Sequence, residues 1–364
     1  MMPKASLPTA DPPVRSLLVR CVNWIGDAVM TIPALRELRR HQPDLQITLM
    51  ARPWVLGLFA GQDFMDHKLE ASSSGNRWER WRIDKSNLEK GGYDAALILP
   101  NAIGPALLAY AAGIPNRWGY ARDARRWLLT QAVPKGAILQ GKHQCRHYLH
   151  LIHGVHLSRV DYLENGCFQP DCRLARTAEQ GNRARQTAAR LGIGRDPHRP
   201  LVGIHAGASY GGAKRWFPER FTLTADTLFS RFDAEVVLIG SEGERALAED
   251  IARAAKHSPK VLAGKTSLAD LLDCMSLMDL FLANDSGPMH LAATLDIPLI
   301  ALFGSTDPVA TAPLSPHAVV IRKETPCSPC LLRECPLDLR CFDRISVNEV
   351  LFHAEKLLKT THKI

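Results

Sequence analysis

Short apolar runs alternate with amphipathic stretches along most of the chain. Residues 16–22 read Ser-Leu-Leu-Val-Arg-Cys-Val, a mostly apolar run of the kind found in strands buried on both faces of a parallel sheet. A polar, glycine-containing turn at residues 23–27 follows. Apolar residues then recur at Val29, Ile32, Leu35 and Leu38, the spacing of a helical stripe. The stripe ends near Arg39, Arg40 and His41, where cations complement a helix C-terminus. Residues 46–51 and 94–100 read as further strands, and the alternation predicts an open α/β sheet. Residues 177–200 are polar and close on Gly192, Gly194, Pro197 and Pro200, which predicts a domain boundary there. A second series follows, with apolar runs at 201–205, 235–240, 279–284 and 298–303. Two α/β domains in tandem are expected to leave a cleft, with ligands at the carboxyl ends of the strands.

Composition narrows this picture. The chain has 364 residues, 46% hydrophobic and 23% charged, which excludes disorder for most of its length. No apolar stretch reaches the ~18 residues that would cross a bilayer. Residues 1–13 lack the apolar core of a signal peptide, which predicts a cytoplasmic protein. Lys and Arg total 45 against 37 Asp and Glu, a formal net charge of +8. That favours anionic partners: nucleic acid, phosphorylated substrates or an acidic membrane leaflet. The excess sits in short clusters: Arg36, Arg39, Arg40; Arg77, Arg80, Arg82; Arg117, Arg122, Arg125, Arg126. No RNA-binding signature accompanies them, and nucleic acid is not expected as a partner.

Three loops after strands could carry chemistry. In Asn23-Trp24-Ile25-Gly26-Asp27, Asp27 is either a helix cap or a general base. The stretch from His205 to Trp216 holds Gly207, Gly211 and Gly212 with Lys214. It is either a flexible loop or a cradle for phosphate oxygens. It lacks the Gly-Lys-Ser/Thr ending of a P-loop. In Asn284-Asp285-Ser286-Gly287-Pro288-Met289-His290, Asp285 or Ser286 suits a helix cap and Pro288 the first turn. The free N–H groups there either bind nothing or favour a pyrophosphate. The glycine pattern of dinucleotide-binding folds is missing after the first strand. No Asp-x-Asp pair occurs, so a diphosphate would be held by amides, Lys and a helix dipole rather than through Mg²⁺.

These loops resemble those of the bacterial lipopolysaccharide heptosyltransferases, glycosyltransferases of family 9 and GT-B fold, and most of all their type II members. The resemblance rests on Trp24-Ile25-Gly26-Asp27 with Met30 and Pro33, Leu99-Pro100-Asn101, and the run from Ala112 to Arg117 with Gly119 and Tyr120. It rests also on the run from Gly207 to Gly211, Ala213-Lys214-Arg215-Trp216, and Asn284-Asp285-Ser286-Gly287 with Met289 and His290. It implies two Rossmann-like domains, 15–185 for the acceptor and 195–346 for ADP-heptose, with a helix at 347–364 returning to the first. It implies inverting transfer of L-glycero-D-manno-heptose from ADP-heptose to the first heptose of the lipopolysaccharide inner core, without a catalytic cofactor. Asp27 maps to the base. Lys214 maps to a catalytic and donor-binding role, and Ser209, Asp285, Ser286, Gly287 and His290 map to the donor. Glu242, with Glu244 close by, maps to the ribose. Arg117, Arg122, Arg125 and Arg126 are expected either to hold the acidic acceptor or to form a solvated face. Weak attachment to the anionic inner membrane is implied as well.

Other readings on the same fold are transfer of type I or III, or another nucleotide-sugar donor. A reading of another class is a non-catalytic module that binds anionic glycolipid. One motif stands apart. Cys327, Cys330, Cys335 and Cys341 fall within fifteen residues, among Pro326, Pro329 and Pro336. Either they hold structural Zn²⁺ or an iron–sulfur cluster, or they are four reduced thiols in a surface loop.

Overall fold

The computed structural model describes residues 13–163, 168–194 and 196–361. Residues 1–12, which carry most of the signal-peptide argument, lie outside the described residues. The chain divides into two compact units, Met1–Asp171 and Cys172–Ile364.

The first unit runs β1 (Ser16–Arg20), α1 (Ile25–His41), β2 (Gln46–Ala51), α2 (Pro53–Leu58), β3 (His67–Glu70) and α3 (Arg77–Gly91). It continues with β4 (Ala95–Ile98), α4 (Ile103–Ala111), β5 (Asn116–Tyr120), β6 (Gln131–Val133) and α5 (Gln144–Gly154). Its strands form a parallel sheet in the order β3-β2-β1-β4-β5-β6. Leu17 of β1 sits between Ile47 and Ala95. Leu17, Leu18 and Val19 are all buried, because helices cover both faces of such a sheet, and the run is therefore continuously apolar.

The second unit runs α6 (Ala178–Arg190), β7 (Leu201–His205), α7 (Pro218–Phe232), β8 (Glu235–Leu238), α8 (Arg245–Ala254), β9 (Lys260–Val261) and α9 (Leu268–Met275). Then come β10 (Leu280–Asn284), α10 (Gly287–Thr294), β11 (Leu299–Phe303), α11 (Pro308–Thr311), β12 (Ala318–Arg322), α12 (Arg340–Asp343) and α13 (Val347–Thr361). Its sheet has the order β12-β11-β10-β7-β8-β9. Counted within the unit, this is the same order as in the first. Each sheet reverses winding direction once, between β1 and β4 and between β7 and β10. The loops beyond those strand pairs are the sites where ligands bind such sheets.

The two units divide between Asp171 and Cys172, and α6 falls within the second. Its N-terminus is closed by reciprocal bonds between Thr177 and Gln180. It buries Ala184, Thr187 and Ala188 and packs on α9. The stretch looked like a linker because its outer face is charged. The closing helix α13 packs against α7, β10 and β11 of the second unit. Its Val350, Leu351, Ala354 and Leu358 enter the same core as Phe221 and Trp216. Full burial of each larger side chain contributes roughly 1.5–3 kcal/mol. No helix among the described residues is long and apolar enough to cross a membrane.

Candidate active site

In the first unit, the loops after β1 and β4 border a cavity of about 380 Å³. Asp27, Asn23, Asn101, Lys135, Gln144 and His147 supply much of its polar lining. Asp27 is not the helix cap. Trp24 takes that place without a side-chain bond, and Asp27 lies in the first turn of α1, where the helix dipole favours a carboxylate. The loop is anchored by Arg20, which is almost fully buried. Its guanidinium donates to the carbonyls of Cys21 and Met50 (2.5 and 3.3 Å) and to Asn23 Oδ1 (3.3 Å).

Lys135, Gln144, His147 and Tyr148 border this cavity although the motifs did not mark them. They come from the β6–α5 region, and only the fold brings them to Asp27. Burial, reinforced by Lys135, pushes the His147 imidazole down to about 4. Burial also lowers the Lys135 ammonium from its ordinary value. At neutral pH His147 is thus an uncharged hydrogen-bonding group in a polar pocket.

The four arginines expected at the acceptor divide into two pairs. Arg125 has no exposed surface. Its Nε donates to the Tyr120 carbonyl (3.0 Å), and Nη1 donates to the carbonyls of Pro100 and Ala102. Arg117 turns inward as well, donating to the carbonyls of Leu128, Ile114 and Pro115 and lying 5.3 Å from the Tyr110 ring centroid. These two hold the cavity rim and β5 in place rather than reaching for an acceptor. A guanidinium's fork of donors suits carbonyl-rich turns as well as phosphates, so residue type alone could not separate the two uses. Arg122 and Arg126 are exposed.

In the second unit, the loops after β7, β10 and β11 converge on Asp285. Its Oδ2 accepts from Lys214 Nζ at 2.6 Å and from Thr306 Oγ1 at 2.7 Å. Asp285 is 4% exposed. Asn284 ties the loops together: its Oδ1 accepts from the Trp216 amide (3.0 Å), and its Nδ2 donates to the Ala206 carbonyl (2.8 Å). Ser286 is the N-cap of α10 yet makes no capping bond. Its hydroxyl lies 3.0 Å from His205 Nδ1, and His205 Nε2 lies 3.4 Å from Glu244 Oε2. The first-turn amides of α10 are therefore not closed by that side chain. Gly287 opens the helix, His290 is buried within it, and Ser209 is exposed on the β7 loop.

The two candidate ribose residues now separate. Glu242 has a 71% exposed side chain, 3.6 Å from Arg245. Glu244 is buried behind Gly207, where an added Cβ would meet its Oε1 at 2.0 Å. Burial alone would raise the Glu244 carboxyl, but bonds from His205 and Ser241 outweigh it and hold it at about 2. Asp285, Lys214, Ser286 and His205 together make a compact polar site without a pair of neighbouring carboxylates, able to receive an anion at a helix N-terminus.

The four clustered cysteines border one small cavity between Ala213, Gly304 and Leu339. Among the described residues, no group of three His, Cys, Asp or Glu is placed so that it could hold a metal ion.

Comparison with known proteins gives this arrangement its context. Residues 80–340 match glycosyltransferase family 9 (heptosyltransferase). The chain is 31% identical over 318 residues to lipooligosaccharide heptosyltransferase 2 of Haemophilus ducreyi, covering 84% of this chain and 88% of that one. It is 30% identical over 317 residues to lipopolysaccharide heptosyltransferase 2 of Salmonella typhimurium, covering 84% and 87%. The solved structure of E. coli ADP-heptose lps heptosyltransferase II superposes with a TM-score of 0.81 at 26% identity, covering 95% and 99%. The fold is accordingly GT-B, as the resemblance implied. Family match, relatives and fold agree: the chain is a glycosyltransferase and belongs to family 9, the heptosyltransferases.

Proposed function

We propose that this chain transfers L-glycero-D-manno-heptose from ADP-heptose to the first heptose of the lipopolysaccharide inner core, with inversion. The observation that carries the reading is the Lys214–Asp285–Thr306 cluster beside the N-terminus of α10, a diphosphate site built from ammonium, hydroxyls and amides. The names of the relatives and of the E. coli structure support the donor and acceptor.

Asp27 takes the proton of the acceptor hydroxyl as that oxygen bonds to the anomeric carbon. The bond from that carbon to the ADP oxygen breaks on the opposite face, and ADP leaves with the electron pair. Lys214 and the α10 amides stabilise the charge that builds on the diphosphate. Ser209, Ser286, Gly287 and His290 line the donor, and Glu242 holds the ribose. Glu244 is assigned to bracing His205 instead. No cofactor enters these steps. Arg122 and Arg126 meet the acidic acceptor, and their charges together with the exposed Ile103, Leu107, Tyr110 and Trp127 suit weak attachment to the anionic cytoplasmic face of the inner membrane.

The test is transfer from ADP-heptose to purified acceptor bearing one heptose, in EDTA, comparing wild type with Asp27→Asn. Transfer by wild type alone, with ADP binding retained by both, is the expected result. Transfer by the variant would remove Asp27 as the base. ADP binding without transfer by wild type would redirect the assignment to another acceptor or sugar.

A further inference from the structure

We propose that Cys327, Cys330, Cys335 and Cys341 bind one thiolate-preferring divalent ion, zinc above others, and that this ion fixes the loop backing the turn that carries Lys214. Residues 323–339 contain no helix or strand, and segments of that length inside a compact domain are usually functional. Apolar packing reaches this one at Leu339, while Leu331, Leu332 and Leu337 are 60%, 45% and 57% exposed. Leu331 and Leu339 also sit at φ 57° and 53°, in the left-handed region that side-chain-bearing residues avoid. Hydrogen bonds rather than a large apolar face hold the loop, and a metal cross-link would add to them.

The donor set for one is present. All four sulfurs belong to residues bordering a single cavity, Cys341 buried and Cys327 exposed, with the Cys-x-x-Cys spacing at one end. Four thiolates around one ion is the composition of closed structural zinc sites. Because no three of these side chains are yet gathered for an ion, binding must draw the loop inward, as it does wherever metal binding and folding are linked. Each thiol that ligates gives its proton to solvent.

The same loop grips the donor turn. The Ala213 amide donates to the Arg333 carbonyl at 2.9 Å, and the Gly212 amide to Glu334 Oε1 at 3.0 Å. Tyr210 Oη donates to the Leu331 carbonyl at 2.9 Å. At Gly211 an added Cβ would come within 2.2 Å of the Arg333 oxygen, so only glycine admits this approach. On the far side Ser328 Oγ donates to the Gly304 carbonyl (2.7 Å) and the Leu331 amide to the Ser305 carbonyl (2.8 Å). Tightening residues 327–341 thus preorganises the backbone leading into Lys214 and into Thr306. The effect on the donor rests on the function proposed above; the presence of the ion does not.

The test begins with elemental analysis of the full chain, purified in reducing buffer without chelator. It should find about one zinc per chain in wild type, and none in the Cys330→Ser/Cys335→Ser double variant. Should that variant fold poorly, wild type stripped by a chelator and reloaded with Zn²⁺ gives the same comparison. Removing the ion should speed hydrogen exchange at the Gly212 and Ala213 amides and weaken ADP binding by roughly tenfold. Zn²⁺ should restore both, and Mg²⁺ neither. Zinc uptake by wild type no tighter than by the double variant would overturn the site. So would visible colour with stoichiometric inorganic sulfide, which would put a cluster there instead. Zinc bound but ADP affinity and exchange unchanged on stripping would overturn the clamp. Faster exchange with no ADP binding in any form would uphold the clamp and reject the donor reading.

Discussion

A guanidinium without exposed surface is costly unless its donors meet acceptors. Arg125 meets three carbonyls, and burial pushes it down only to about 10, so it stays charged at neutral pH. Arg125→Met should destabilise the protein by roughly 3 kcal/mol, because the carbonyls of Tyr120, Pro100 and Ala102 lose a charged donor. Arg122→Ala should shift urea denaturation by less than about 0.5 kcal/mol while weakening acceptor binding. Equal stability losses in the two variants would deny Arg125 its bracing role. In the second unit, Lys214→Met leaves Asp285, 4% exposed, with Thr306 as its remaining partner of the pair described. ADP affinity measured by calorimetry should fall at least roughly tenfold, and unaltered affinity would place the diphosphate elsewhere.

At the scale of elements, α6 illustrates how a charged segment becomes part of a domain. Arg176 Nη2 (2.8 Å) and Arg183 Nε (2.7 Å) both donate to the Asp273 carboxylate on α9. The Asp273 side chain is only 1% exposed. Burial would raise this carboxyl, but the two arginines outweigh it and lower it from its ordinary value. Asp273→Ala should cost about 3 kcal/mol, towards the low end for a broken buried pair because Arg183 stays half-exposed. Hydrogen exchange should then quicken along α6 before the sheet. Protection of α6 that survives the substitution would mean that its apolar face alone suffices.

For the whole molecule, the two sheets share one strand order, and each unit has a core of its own. Acid should therefore act on them separately. An unfolded histidine titrates near 6.5 and His147 near 4. As pH falls from about 6.5 to about 4, the unfolded state takes up the proton first, and the first unit loses stability. Glu244 runs in a lower window. Its folded value of about 2 lies below the unfolded one, so its contribution is complete above about pH 4.5 and fades as pH falls towards 2. His147→Gln should flatten the upper window of a pH series of urea midpoints and leave the lower one. A slope unchanged between pH 6.5 and 4 would assign it to other groups.

The strands and the three loops were legible because both are local. A strand covered on both faces must be continuously apolar, as in Leu17 to Val19, and an α/β sheet places its working loops directly after such strands. That reasoning reached Asp27, Lys214 and Asp285. It did not reach Lys135 and His147, which come to Asp27's cavity from more than a hundred positions along the chain. Nor could it orient Arg117 and Arg125, assign α6 to the second unit, or seat α13 on α7. Each of those depends on which distant carbonyl, carboxylate or apolar face is the neighbour in space. Period and residue type in the sequence determined the elements and the chemistry available at their ends. Which side chains face the pocket, and which are consumed in holding its walls, was decided by long-range packing alone.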